Sequence, residues 1–326
     1  MNWLRFVASI LGFVPGFSSN TALAVDPDSL QSAITIAAVA YDDGFGLTLK
    51  EPSGIWFDPV AEEVLVADPG NGRVVIYDRL LAFKYSFRHF VRDPATGRTI
   101  AGQPKGMAVN SRGEILLQDA ITDRLDLLDF RGKVIDFVWP RNLLGDTTLR
   151  VKTSCLTTDA KDRFYVVVNG DLTTILFLDQ DLRLVRQIGE KGDLDHQLNT
   201  PVGIGFCDGK IYIGDLYGSP AVKVFDTLGQ FLFGFAGHDV DRADLTFPVG
   251  FGFLSDGSGG RLVLVADGLR QTVKVYNQTG EFITMIGGYG RLPGFLQYPS
   301  GLASDGATSF YVLERAGRRV QKYVTK

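Results

Sequence analysis

An all-β ring built from one repeated sheet is the fold class this sequence predicts, on three observations. A block of three short strands, first written over residues 52–78, recurs roughly six times. The copies are evenly spaced from one end of the chain to the other. The last copy stops one strand short, and a matching strand stands near the N-terminus.

The first block shows why each piece is a strand or a turn. Pro52-Ser53-Gly54 opens it, since proline fixes φ and glycine relieves crowding. Ile55-Trp56-Phe57 is a short apolar run closed by the turn signal Asp58-Pro59. Val64-Leu65-Val66-Ala67 is a second run, followed by the dense turn Asp68-Pro69-Gly70-Asn71-Gly72. Val74-Val75-Ile76-Tyr77 is the third. Phe83, Tyr85 and Phe87 then alternate with Lys84, Ser86 and Arg88, so a fourth strand has one buried face. Four antiparallel strands with tight turns make one blade of a β-propeller. A lone blade cannot cover both faces of its sheet and needs neighbours.

The next copies begin at Pro104, Lys152, Pro201, Pro248 and Pro299, at spacings of 52, 48, 49, 47 and 51 residues. The second strand returns as Leu116-Leu117-Gln118-Asp119, as Ile211 to Asp215, as Val263 to Asp267 and as Tyr311 to Glu314. The third returns as Arg124 to Asp129, Val222 to Asp226, Val273 to Asn277 and Arg319 to Tyr323. This pattern, P-x-G-[IM] … [VI]-x-[VI]-x-D … N-x-R-V-x-[VI]-[YF]-D, resembles the NHL repeat family of β-propellers over nearly the whole chain. The third copy departs most, with Lys152-Thr153-Ser154 for P-x-G and Val168-Asn169 where the acid belongs.

Ala33-Ile34-Thr35-Ile36-Ala37-Ala38 is similar to Phe282 to Gly287, the fourth strand before the final copy. The final copy ends at Lys326 after its third strand. The expectation is a six-bladed β-propeller of four-stranded antiparallel blades, residues 33–326, in which 33–40 completes the last blade and removes the open edge.

Residues 1–24 read as a secretory signal. Arg5 is the only charge there, Phe6 to Phe17 is apolar, and Ala22-Leu23-Ala24 has the small-x-small form of a cleavage site. Residues 25–32 read as a linker. Cleavage after Ala24 would leave a periplasmic or secreted chain with no transmembrane segment. It would remove Arg5 and no acid, moving the net charge from −4 to −5. With no basic stripe bearing interleaved aromatics, no nucleic-acid partner is expected.

Candidate functional residues lie on the rim made by the blade-to-blade loops. They are His196, His238, Asp239, Arg242, Arg291 and Arg141, carried by exposed loops on a rigid ring. Asp68, Asp119, Asp215, Asp267 and Glu314 close the second strands on the same rim. A ring of carboxylates invites a calcium reading, but short acids form turns first, so they are expected to tie down their own turns. The first strands are apolar, unlike an axial metal-ligand set. His89, His196 and His238 are the only histidines, and none lies on a first strand. NHL-repeat peptide-amidating lyases bind zinc through histidine, and their ligands find no residue-by-residue match here. Aligning Lys152 with Pro201 sets Cys155 opposite Ile204 and leaves Cys207 three positions out of step, on the other sheet face. Two buried thiols are expected rather than a disulfide.

The functional expectation is an exported, non-enzymatic scaffold presenting rim loops to a protein or peptide partner, with no cofactor. Two alternatives stand beside it. One is a metal-assisted lyase or hydrolase holding zinc or calcium near His196 and His238. The other is an accessory subunit of a cell-envelope complex, which exposed aromatic patches on one rim would favour.

Overall fold

The computed structural model describes residues 27–238 and 240–326, so the candidate signal segment and Asp239 lie outside the described residues. Six four-stranded antiparallel sheets stand in a ring. Blades 1 to 5 span residues 54–88, 104–138, 151–188, 201–235 and 248–287, each running from its innermost to its outermost strand. Blade 6 takes its inner strands from residues 299–325 and its outermost strand from Ile34–Ala40. That strand pairs antiparallel with Arg319–Thr325, so the two ends of the described chain close the ring. The stretch read as a linker includes a short helix, Pro27–Ala33. Its Leu30 is buried in a cluster with Ile283 and Ile286 of blade 5, and that apolar anchor gives the turn a surface to fold against.

The core lies between blades. Tyr77, Tyr165, Tyr276, Tyr311 and Tyr323 are each at most 2% exposed and wedge adjacent sheets together. Stacked ring pairs such as Tyr165–Phe177 at 4.9 Å and Tyr165–Phe206 at 5.3 Å continue the wedge across the boundary between blades 3 and 4. The glycine of the P-x-G turn is dictated by this packing. A Cβ on Gly54 would sit 2.4 Å from the Lys105 carbonyl oxygen, and one on Gly203 would sit 2.4 Å from that of Pro248. Ser53 and Ser300 donate to the Lys105 and Pro52 carbonyls and stitch neighbouring innermost strands.

The third-to-fourth-strand turns repeat one device. Asp78, Asp129, Asp179, Asp226 and Asn277 each accept the N–H groups two and four residues on, which fixes a short hairpin turn. The Asp or Asn that ends the third strand in these five blades is therefore a turn former.

Blade 3 corrects the sequence alignment. Leu156 pairs with Val166 as Ile204 pairs with Ile213, and Ser154 donates to the Pro201 carbonyl as Ser300 does to that of Pro52. The unit is therefore Thr153-Ser154-Cys155, one residue later than a start at Lys152. Cys155 occupies the glycine position, and the strand takes its irregularity between Thr153 and Leu156. Cys207 then stands four positions beyond the equivalent of Cys155, not three. That is about 13 Å along the strand direction, beyond the ~7 Å between Cα atoms that a disulfide spans. Both thiols are unbonded.

Candidate functional site: the connector rim

One face of the ring gathers the blade-to-blade connectors and the second-to-third-strand turns. Four connectors, 41–52, 189–200, 237–247 and 287–298, fold into the same small knot. Leu49, Leu198, Leu245 and Leu296, each three residues before the P-x-G proline, are fully buried plugs. Their N–H groups close the knots on the carbonyls of Tyr41, Glu190, Gly237 and Gly288. The two connectors flanking blade 2 break the rule. Residues 89–103 form a hairpin, Phe90–Arg92 with Thr99–Ala101, and residues 139–150 carry a short helix, Pro140–Leu143.

The ring of acids fastens these connectors. Asp68 accepts the Lys50 N–H, Asp119 that of Gln103, and Asp215 those of Asn199 and Thr200. Asp267 accepts those of Thr246 and Phe247, and Glu314 that of Gln297. Bonds to their own turns come from Ile121, Gly218 and Arg270 N–H groups. All five acids thus hold the end of the incoming connector, and Asp119, Asp215 and Asp267 hold the main chain of their own turns as well. In blade 3 Asp171, in the turn, takes over by accepting the Arg150 N–H at 2.9 Å.

In blades 1, 4, 5 and 6 a cation on the third strand completes the clamp. Arg73 pairs with Asp68 and Asp43 and donates to the Leu47 carbonyl. Arg319 pairs with Glu314 at 2.6 Å and donates to the carbonyls of Arg291 and Phe295. Lys223 bonds Asp215 and the Gln197 carbonyl. Lys274 reaches the Asp244 carbonyl, and burial pushes its ammonium down to about 8, helped by the nearby Arg270.

The five rim candidates among the described residues are dispersed. His196 is exposed on its connector, as are Arg242 and Arg291 on theirs. The guanidinium of Arg141 lies over the Trp139 ring at 4.7 Å. His238 is half-buried, with Nδ1 2.9 Å from the Leu245 carbonyl and Nε2 2.7 Å from that of Gly218. Each of its ring nitrogens thus faces a main-chain carbonyl, one in its own connector and one in the turn of blade 4, and a nitrogen that carries a proton donates to the carbonyl it faces. No hydrogen bond or ion pair joins these side chains to one another among the described residues, and no three His, Cys, Asp or Glu side chains there are grouped to hold a metal ion.

The residue sequence reasoning passed over is His89. It is buried, with Nε2 3.5 Å from Asp126 and 3.6 Å from Asp119. Burial holds its pKa below the ordinary value, outweighing the opposing pull of the Asp119 and Asp126 carboxylates, and Arg124, paired with Asp126 at 2.6 Å, adds to the lowering. The available signal was Asp126, a carboxylate inside the apolar strand Leu125–Leu128.

The axial channel has a volume of about 750 Å³. Its waist is apolar, including Ile55, Met107, Leu156, Ile204, Phe251 and Leu302. At one end, acids such as Asp58, Asp159 and Asp305 are occupied in Asx turns at the ends of the innermost strands. Cys155 and Cys207 line it, and burial pushes both thiols up to about 12, so neither is a nucleophile at neutral pH.

No family model matches the chain, and no curated protein sequence does. Solved structures do match. A gluconolactonase from Xanthomonas campestris superposes with TM-score 0.60 at 12% identity, covering 90% of this chain and 89% of that one. A protein of unknown function from Bacteroides thetaiotaomicron gives 0.61 at 14% identity, covering 90% and 76%. A chain of a nidogen/laminin complex gives 0.50 at 18% identity, covering 72% and 80%. At these identities the likeness establishes the propeller fold alone.

Proposed function

We propose that this propeller is an exported, NHL-type scaffold that binds a protein or peptide partner through its connector rim. One observation carries the reading: the apolar surface is concentrated on that rim. Phe45 and Val240 are each 85% exposed, and Tyr217, Leu269, Tyr289 and Leu292 stand out beside them. The opposite rim shows Val60, Leu80, Phe130 and Leu228, one to a turn. Large apolar groups grouped on one face mark interaction surfaces. The clamps supply the second half of the mechanism. Five of the six connectors are held at the base by a buried acid and four of these also by a buried cation, so the tips are presented with little conformational entropy left to lose on binding. That a chain of the nidogen/laminin complex shares the fold supports the reading by analogy.

An accessory subunit of a larger envelope assembly would use the same surface. A metal-assisted enzyme has less support, since a main-chain carbonyl stands against each ring nitrogen of His238 and His196 lies apart from it in exposed loop. The test is capture from cell-envelope extract with two charge variants. Tyr217→Glu/Tyr289→Glu should lose a reproducible partner that Leu80→Glu/Leu228→Glu retains; equal capture by both would contradict a rim-borne function.

A further inference from the structure

Blade 2 is where the repeat is broken most often. Both irregular connectors flank it, and the buried His89–Asp119–Asp126 group lies at its base. Its outermost strand, Val134–Val138, also differs from the others. The outermost strands of the other five blades each contain at least one buried residue, whereas this one contains none. Val134, Ile135 and Phe137 are 38%, 48% and 46% exposed on a free sheet edge. Phe137 is held in place, with the Arg124 guanidinium 4.6 Å from its ring centre and Arg124 itself paired with buried Asp126. The Phe137 N–H donates to the exposed Asp136 carboxylate at 2.7 Å, so it points away from the sheet rather than into the ladder. An apolar edge with outward N–H groups is a template for another strand.

Charge decides which strand fits. In antiparallel pairing with a second copy, the register that overlaps the whole edge sets Asp136 against its own counterpart, and like charges directly opposite are unfavourable. Slipping by one residue pair sets Asp136 against Val134 or Val138, which gives the carboxylate no cation. We propose that the outer edge of blade 2 is a second docking surface, which adds an extended strand of a partner protein carrying a lysine or arginine opposite Asp136 and apolar residues on either side. The strand's backbone would extend the sheet. Its cation would draw Asp136 off the Phe137 N–H, and a carbonyl would take that place. This surface is separate from the connector rim and does not depend on the reading above.

The probe is a soluble, fluorescein-labelled peptide of alternating threonine and valine with a central lysine, and its sister with a central glutamate, titrated against the whole chain by fluorescence anisotropy. The lysine peptide should bind about tenfold more tightly, the swing expected from replacing a favourable cross-strand pair by a like-charged one. Asp136→Lys should invert that preference. Phe137→Pro removes the outward N–H together with the ring over Arg124 and should abolish binding, whereas Phe137→Leu, which removes the ring and keeps the N–H, should still bind the lysine peptide; if the proline disturbs blade 2, the Asp136→Lys inversion decides. The proposal is overturned by no saturable binding, by equal binding of the two peptides, or by binding that survives Phe137→Pro in a folded protein. It is also overturned if sedimentation shows a dimer that Asp136→Lys alters, which would give the edge to a second copy.

Discussion

Replacing Arg319 by leucine tests how the rim is held. Arg319 is 2% exposed and Glu314 is fully buried. The guanidinium joins Glu314 to the connector 287–298 through the Arg291 and Phe295 carbonyls, at 2.6 and 2.8 Å. Arg319→Leu takes the paired cation from the carboxylate and frees the Arg291 carbonyl, while the Phe295 carbonyl keeps the Gln321 amide. Breaking a buried pair from one side costs about 3–5 kcal/mol. Glu314 would keep the Gln297 N–H and the Gln321 amide, which places the loss near the lower end. At about 2 °C per kcal/mol for a chain of this size, the melting temperature should fall by about 6 °C. Amides of 287–298 should exchange faster than those of the equivalent connector 189–200, which Lys223 holds independently. Arg319→Leu/Glu314→Gln should recover part of the loss, because no charge is then left buried. A single variant within ~1 kcal/mol of wild type, unchanged exchange in 287–298, or a double variant as unstable as the sum of its parts would each refute the clamp.

Further predictions follow from the same structure. Gly203→Ala drives a methyl to 2.4 Å from the Pro248 carbonyl oxygen, so urea unfolding should show a loss of at least about 1–3 kcal/mol. Lys274 has its folded pKa lowered to about 8 against 10.5 unfolded, so the unfolded chain binds more protons between those values and the lysine's cost is relieved as pH rises through them. Lys274→Gln, using the amide that Gln321 carries at the equivalent position of blade 6, should be more stable than wild type by up to about 3 kcal/mol at pH 7, with the advantage gone by pH 10.5. Unfolding curves at the two pH values check this, and a constant difference would contradict it. Cys155 and Cys207 should resist alkylation at pH 7.5 in the native protein and react in urea, each as a single free thiol by mass.

The ring was legible because its determinants are local and repeated. Pro-x-Gly, the alternation of Phe83, Tyr85 and Phe87, and the Asp or Asn closing five of the third strands act within a few residues, and five or six copies reinforce one another. Ring closure was legible because Ile34–Ala40 reads like an outermost strand and the last copy lacked one. The start of blade 3 was misplaced by one residue because Cys155 replaces the glycine that marks register elsewhere. His89 was missed because its partners, Asp119 and Asp126, are 30 or more residues away and only the hairpin 90–101 folds it back onto them. The acids were read as binding their own turns. Their bonds to the preceding connector span 15 or more residues, as in Thr200 to Asp215, which turn chemistry alone does not announce. The apolar character of the rim was open in the sequence only as a condition, since the exposure of Tyr217 or Tyr289 depends on how each knot turns its tip.

The most direct test of the central claim is site-specific photo-crosslinking in intact cells that express the protein, with the crosslinker at Tyr289 on the connector rim and at Leu228 on the opposite one. The account predicts a discrete adduct from position 289 that is absent from position 228. Adducts of equal yield from both positions, or an adduct from 228 alone, would contradict it.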